Sequence, residues 1–282
     1  MKLSIIISSH NRLSLFRRTL WSIAKRRPNC DFEVIVVDDE SDQPILEELK
    51  LYSSQFPWKF IRFDRVAFEE ATGLKKYHNN PCVTQNIGFK YSSGELIIQQ
   101  GNEVIAWEGC YEKLLKDCPS NENFIIFSTT YDLPQQYLDI LDQYGSNLPV
   151  GLIEVLKQWP LQSESYRSDV TNYISICNRS LWEQIEGFDE RYYAGICAED
   201  SDFVRRARAL KCTTKVSDAI SFHQYHGGKT AYYEPVEVDK DKFTIGCKIN
   251  RKIYDEWSGE FTNSTPWKPG EYGVGEVITS GY

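Results

Sequence analysis

Apolar residues in the first 128 positions follow two rhythms. Leu3 to Ile7 and Phe32 to Val37 are unbroken, β-branched runs, as expected of strands covered on both faces by helices. Between them Leu13, Phe16, Leu20, Ile23 and Ala24 recur at helical spacing while Arg17, Arg18, Lys25 and Arg26 take the other side, which predicts a helix within 12–26. Asp42 and Pro44 open a second helix carrying Leu46 and Leu49, then "KFIRF" and "ELII" read as strands. "WEGCYEKLL" places Trp107, Tyr111, Leu114 and Leu115 on one helical face before Pro119 ends it, and "FIIFS" is the next buried strand. The alternation predicts an α/β fold in three layers, α/β/α, around a mostly parallel central sheet.

The pattern loosens afterwards. Residues 129–170 are aromatic and proline-rich, which predicts long loops with one helical stretch near 133–143. "SLWEQIEG" reads as a short helix with a Ser180–Glu183 capping box and a left-handed stop at Gly187. Phe203, Val204, Ala207 and Leu210 line a helix opening at or near Glu199, so Glu199, Asp200 and Asp202 gather at its N-terminus. From about Thr230 no period is evident, and residues 230–282 are expected to form a C-terminal arm or cap, a candidate surface for self-association. The oligomeric state is not encoded legibly.

Composition narrows the function. A net charge of −8 over 282 residues argues against a surface that collects nucleic-acid phosphates, and leaves room for a local pocket that takes a small anion. Eight cysteines without a CxxC pair read as reduced thiols, which points to a cytoplasmic protein. The N-terminal apolar run is too short for a signal segment or a membrane span. The Asn-X-Ser/Thr matches at Asn178 and Asn263 are read as chance.

Three strand ends carry candidate chemistry. Ser8-Ser9-His10-Asn11 ends the first strand, where open α/β sheets bind ligands, although a capped helix start gives the same letters. Asp38-Asp39 ends the second and can accept from a ribose hydroxyl or a base N–H, although adjacent Asp residues also form turns. "GELIIQQGNEV" begins as a buried strand and breaks into Gln100-Gly101-Asn102-Glu103, with one carboxylate.

In order and spacing, "LSIIISSHNR", "FEVIVVDDES", "NIGFKYSSGELII" and "GFDERYYAGICAEDSDFVRRA" resemble the successive blocks of glycosyltransferase family 2, the GT-A fold, over residues 3 to about 226. The resemblance implies a glycosyltransferase domain over 1–229, with a nucleotide-sugar half at 1–128 and an acceptor-binding and catalytic half at 129–229. It also implies a nucleoside-diphosphate sugar donor, UDP by preference, a saccharide or glycoconjugate acceptor, and inversion at the anomeric centre. Carried over residue by residue, Asp39 holds the uracil or ribose beside Ser8, His10 and Asn11. Asn86 packs under the donor, and Asp200 is the general base, with Glu199 and Asp202 competing for that role and first-turn capping the plainer reading of Asp202. A base opposite the leaving group must take the acceptor's proton as the bond forms, and a helix N-terminus keeps a carboxylate there ionised.

The family holds a divalent ion with Asp-X-Asp after the fourth strand; here Gln100 and Asn102 replace both acids. Glu103 then becomes the expected charged ligand, and the resemblance of "HQYH" to a metal-completing element implicates His223 first and His226 second, in a set that suits Mn2+ or Mg2+. Metal-independent transfer is the alternative; Lys75 and Lys76 are candidates to offset diphosphate charge, although lysine pairs more often lie on a solvated surface. Trp107, Trp159, Trp182 and Tyr173 are core residues or sugar platforms. The rival to an enzyme is a non-catalytic nucleotide- or saccharide-binding module that lost its metal site.

Overall fold

Side chains alternate across β1 (Lys2–Ser9) and β2 (Asp31–Asp38), and both resulting faces are buried. Leu3, Ile5, Ile7, Val34 and Val36 pack on Phe16 and Leu20 of α1 (Leu13–Lys25) and on Leu49 of α2 (Ile45–Lys50). Ile6, Ile35 and Val37 face the other way, onto Phe68 of α3 (Arg65–Thr72) and Ile87 of α4 (Cys82–Lys90). Each such fully buried side chain contributes about 1.5–3 kcal/mol by leaving water, so the unbroken runs drive both layers onto the sheet.

This computed structural model describes residues 2–133, 135–144, 173–226, 240–262 and 265–280. The remaining elements are β3 (Trp58–Phe63), β4 (Leu96–Gln100), β5 (Val104–Ala106), α5 (Cys110–Asp117), β6 (Phe124–Leu133), α6 (Gln135–Tyr144) and β7 (Ile174–Asn178). They are followed by α7 (Arg179–Ile185), a 3-10 turn (Glu190–Ala194), α8 (Glu199–Ala209), β8 (Thr213–Gln224), α9 (Lys240–Asp255) and β9 (Val274–Thr279). The nine described strands form one sheet in the order β5-β8-β6-β7-β4-β1-β2-β3-β9.

The three layers stand, but the sheet is mixed rather than mostly parallel. β4, β1, β2 and β3 run parallel, as do β6 and β8, whereas β7 pairs antiparallel with both β4 and β6, β5 with β8, and β9 with β3. An apolar run reports burial on both faces and carries no information on strand direction.

Two local expectations also change. α7 opens at Arg179 with Asn178 at the N-cap and no side-chain cap, and Ser180 donates instead to Asn123 at 3.1 Å, so no capping box forms. Its stop uses two left-handed residues, Glu186 (φ 57°) and Gly187 (φ 69°). The C-terminal region supplies α9, and β9 as an edge strand with Phe60 opposite Ile278. Gly88 lets α4 lie against β1: a Cβ there would fall 2.3 Å from Ile6 Cγ2. The close approach brings Thr84 of α4 to Ser8 at the end of β1.

Candidate active site

The carboxyl ends of β4, β1 and β2 lie side by side. Asp39 N donates to Ser9 O at 2.7 Å, which joins the tips of β1 and β2. The chain then turns sharply into α1 through two left-handed residues, Asn11 (φ 53°) and Arg12 (φ 58°). Asn11 N donates to Ser41 Oγ at 2.7 Å and Asn11 Oδ1 accepts from Asp42 N at 2.9 Å, while His10 Nδ1 lies 2.6 Å from Asp39 O. Ser8 and Thr84 hydroxyls are 2.5 Å apart. Ser8, His10, Asn11 and Asp39 are therefore gathered at one place.

Asp38 and Asp39 part company. Asp38 is fully buried, bonded to the Ser41 hydroxyl and paired with Arg62; burial pushes its carboxyl up, against the pull of Ser41 and Arg62. Asp39 is also buried, with Oδ2 paired to the Lys76 ammonium and Oδ1 without a partner. A buried oxygen left unpaired costs about 1–3 kcal/mol, which a ligand donor would recover. The neighbouring expectations need correction here. Lys75 is exposed, and it is Lys76 that turns inward. Asn86 lies in the interior of α4, donating to Phe188 O at 2.8 Å and Glu190 Oε1 at 3.0 Å and accepting from Phe188 N at 2.8 Å. With those bonds made, it braces the segment after α7.

The turn after β4 splits in the same way. Gln100 is fully buried, giving Nε2 to Val104 O at 2.8 Å and accepting the Tyr111 hydroxyl at 2.7 Å, so it shapes the turn and offers no oxygen to a diphosphate. Asn102 donates to Asn11 O at 3.4 Å, and its buried Oδ1 has no partner. Glu103 turns toward β8 and the start of α1, with Oε2 3.3 Å from Arg12 Nη1 and Oε1 3.8 Å from His223 Nε2. Burial would raise Glu103, but Arg12, His223 and His226 outweigh it and hold the carboxyl below its usual range.

β8 explains how distant histidines reach this acid. It pairs antiparallel with β5, setting His223 opposite Val104, and Gln224 N donates to Glu103 O at 2.9 Å. The donor atoms of Glu103, His223 and His226 all lie within 4.8 Å of one another. The two imidazole Nε2 atoms are 3.0 Å apart, the spacing of two adjacent ligands about 2.1 Å from one octahedral ion. His223 Nδ1 lies 3.3 Å from Asp132, which directs Nε2 inward, and burial lowers His226 to about 4, so that ring is neutral with a lone pair to give. One carboxylate and two imidazoles fit Mn2+ or a similar ion.

The predicted base lies at the start of α8, after left-handed Cys197 (φ 98°) and Ala198 (φ 72°). Asp202 is spent on structure, held by Arg205 and by buried Arg206, each at 2.7 Å. Glu199 is buried with Oε2 unpaired, and burial followed by the charge of Asp200 raises it to about 8. Asp200, next in the chain, is only half-buried. Two segments hold this loop. Tyr77 N and Asn80 Nδ2 bond Ala194 O at 2.8 Å and Gly195 O at 2.7 Å, so the loop that carries Lys76 to Asp39 also grips the approach to Asp200. From α9, the buried Asn250 amide donates to Tyr192 O at 2.9 Å, to Cys197 O at 3.2 Å and to Gly195 O. A Cβ on Gly195 would lie 2.8 Å from Gly246 Cα, so only a glycine allows α9 so near.

Arg12 and Asn250 thus join the site without having been singled out, and of the lysine pair it is Lys76 that meets Asp39. "LKK" flags a lysine pair but not which member turns in, and the aperiodic look of the tail hid Asn250. Of the aromatic candidates, Trp182 is core, Trp107 packs edge-on to Phe222, Tyr173 lies 5.3 Å from His223, and Trp159 falls outside the described residues, as does Asn263. All eight cysteines are free, and no described helix is long and apolar enough to cross a membrane.

Known proteins resemble this arrangement. The sequence model described as Glycosyl transferase family 2 matches residues 4–132. Chondroitin synthase of Escherichia coli is 24% identical over 255 residues, 80% of this chain but 35% of its own length, so the chain spans about a third of that relative. Among solved structures, Staphylococcus aureus TarS residues 1–349 in complex with UDP-GlcNAc superpose with a TM-score of 0.58 at 16% identity, covering 90% of this chain and 71% of that one. The mannosyltransferase PcManGT of Pyrobaculum calidifontis, in complex with GDP-Man and Mn2+, gives 0.56 at 12%, covering 95% and 67%. With these matches laid over the strand-end site, residues 4–132 carry the sequence pattern of glycosyltransferase family 2, and the chain has the GT-A fold.

Proposed function

We propose that the protein is an inverting glycosyltransferase that moves a hexose or N-acetylhexosamine from a UDP-sugar to a saccharide hydroxyl. The observation that carries this is the juxtaposition, at neighbouring strand ends, of Asp39 with its unpaired Oδ1 and the Glu103–His223–His226 donor set. Asp39 Oδ1 accepts from the uracil N–H or a ribose hydroxyl, while the Lys76 ammonium holds Oδ2. Glu103, His223 and His226 hold a divalent ion, Mn2+ by preference, which when bound neutralises charge on the departing diphosphate.

Asp200 takes the proton of the acceptor hydroxyl as its oxygen bonds to the anomeric carbon, on the face opposite the leaving group. Burial, followed by the charge of Asp200, raises the Glu199 carboxyl and favours its protonated form, which assigns the base to the half-buried Asp200. A neutral carboxyl then lies beside Asp200, where two adjacent anions would repel. Residues 1–128 supply most of the donor contacts, and 129–229 supply the base, the acceptor surface and the two histidines of the metal set. The UDP-GlcNAc complex of TarS and the name of the chondroitin relative support the carrier and a saccharide acceptor.

A screen of nucleotide-sugars for release of nucleoside diphosphate, with Mn2+ or with chelator, tests donor and metal together. UDP release stimulated by Mn2+ is the expected result; release from GDP-sugars alone would overturn the carrier, and transfer undiminished by chelator would overturn the metal.

A further inference from the structure

The metal position contains its own competing cation. Arg12 and Glu103 are both largely shielded, with side chains 14% and 19% exposed, and their pairing leaves the cluster as one carboxylate, one guanidinium and imidazoles. Arg12 engages Oε2 while Oε1 faces His223 Nε2, so a divalent ion seated between Oε1 and the two imidazoles shares the Glu103 carboxylate with a guanidinium. Asp132 adds an acid behind His223, but it is 46% exposed and therefore screened. The positions that carry a second and third acid in the family motif are Gln100, turned into the core, and Asn102, which is neutral. Among the described residues, a divalent ion alone thus meets a site whose Glu103 charge is already offset by Arg12. The diphosphate of a nucleotide sugar, bearing two negative charges, restores the balance and gives Arg12 a second anion to face.

We propose that Arg12 makes divalent-cation binding conditional on the nucleoside diphosphate. The ion binds weakly to the free protein and tightly together with nucleotide, and the Arg12 guanidinium sets that difference by opposing the lone ion and sharing the diphosphate with it. This rests on the reading of the site as a metal–diphosphate site. The Asn11–Arg12 left-handed turn fixes the guanidinium there, since it places the residue over the β4 turn instead of on the outer face of α1.

The test is a titration of the full chain with Mn2+, followed by the paramagnetic signal of the free ion, with and without saturating UDP, for the wild type, Arg12→Gln and Arg12→Lys. In the wild type UDP is expected to tighten Mn2+ by about tenfold or more, and by linkage Mn2+ tightens UDP by the same factor. Arg12→Gln is expected to bind Mn2+ alone about tenfold more tightly and to lose most of the coupling, and Arg12→Lys to retain it. An Arg12→Gln protein that binds UDP yet shows wild-type Mn2+ affinity without nucleotide, or undiminished coupling, overturns the role of Arg12. A wild-type protein that binds neither UDP nor Mn2+ even when both are present overturns the reading of the site itself.

Discussion

Two pairs of adjacent acids, Asp38–Asp39 at the end of β2 and Glu199–Asp200 at the start of α8, look alike in sequence and are managed differently. In each, one member is driven inward and the other stands at the site. Asp38 meets Arg62 and Ser41, so burial is opposed by a cation and a hydroxyl. Glu199 meets no cation among its leading influences; burial comes first, then the charge of Asp200, and Asn80 and backbone groups compensate only in part. What separates the pairs is the presence of an internal counter-charge. A buried acid with one can remain a structural anion, whereas a buried acid without one resolves the conflict by keeping its proton.

The comparison can be broken most sharply at its reactive members. Asp200→Asn is expected to reduce transfer about 10²- to 10⁴-fold while UDP affinity, measured by calorimetry, stays near wild type. An unchanged transfer rate would remove Asp200 as the base. Asp39→Asn should instead weaken UDP binding by about ten- to a hundredfold, because it replaces a paired anion with an amide that presents a donor beside Lys76. The two substitutions thereby separate chemistry from donor capture.

Smaller effects test the supports. Asn250→Ala removes the amide that ties α9 to the carbonyls before α8, and is expected to cost about 1–3 kcal/mol in urea unfolding and to lower kcat more than it alters UDP affinity. The corresponding turn at Asp39 is secured by strand pairing and by the Lys76 ammonium. Glu199 gives the subtlest readout. Its native carboxyl titrates near 8 against an ordinary 4.5, so the folded state holds a proton that the unfolded chain releases. Its contribution to stability is complete below about 4.5 and is lost as pH rises through about 8. Melting temperatures across that window should fall with pH, and Glu199→Gln, which stays neutral, should flatten the slope.

Much of the fold was legible because burial on two faces writes itself as unbroken apolar runs, and the boundaries of α1, α6 and α8 follow their periodicity closely. α3, α4 and α9 escaped notice. α4 buries nearly every residue, including Thr84, Gln85 and Asn86, so it shows no polar face by which to count a helical period. The site was legible where chemistry coincides with position: Asp39, Glu103, His223 and His226 stand where strand ends converge. Gln100 and Asn86 misled because a polar residue matched to a family motif has the same letter whether it faces a ligand or a carbonyl.

The sequence by itself determined the layered α/β fold, the acids at the strand tips and the residue types able to bind a cation, because these depend on local period and side-chain chemistry. Only the tertiary structure decided that Lys76 rather than Lys75 meets Asp39, that Arg12 shares Glu103 with the histidines, and that α9 braces the loop before Asp200. Those pairings join residues up to 120 positions apart, 37 for Lys76 to Asp39 and 120 for Glu103 to His223, and no local rule of propensity or spacing reaches across them. They arise when strand order and crossover fix which ends meet, and the cost of leaving a buried charge or carbonyl unpaired then selects the partner.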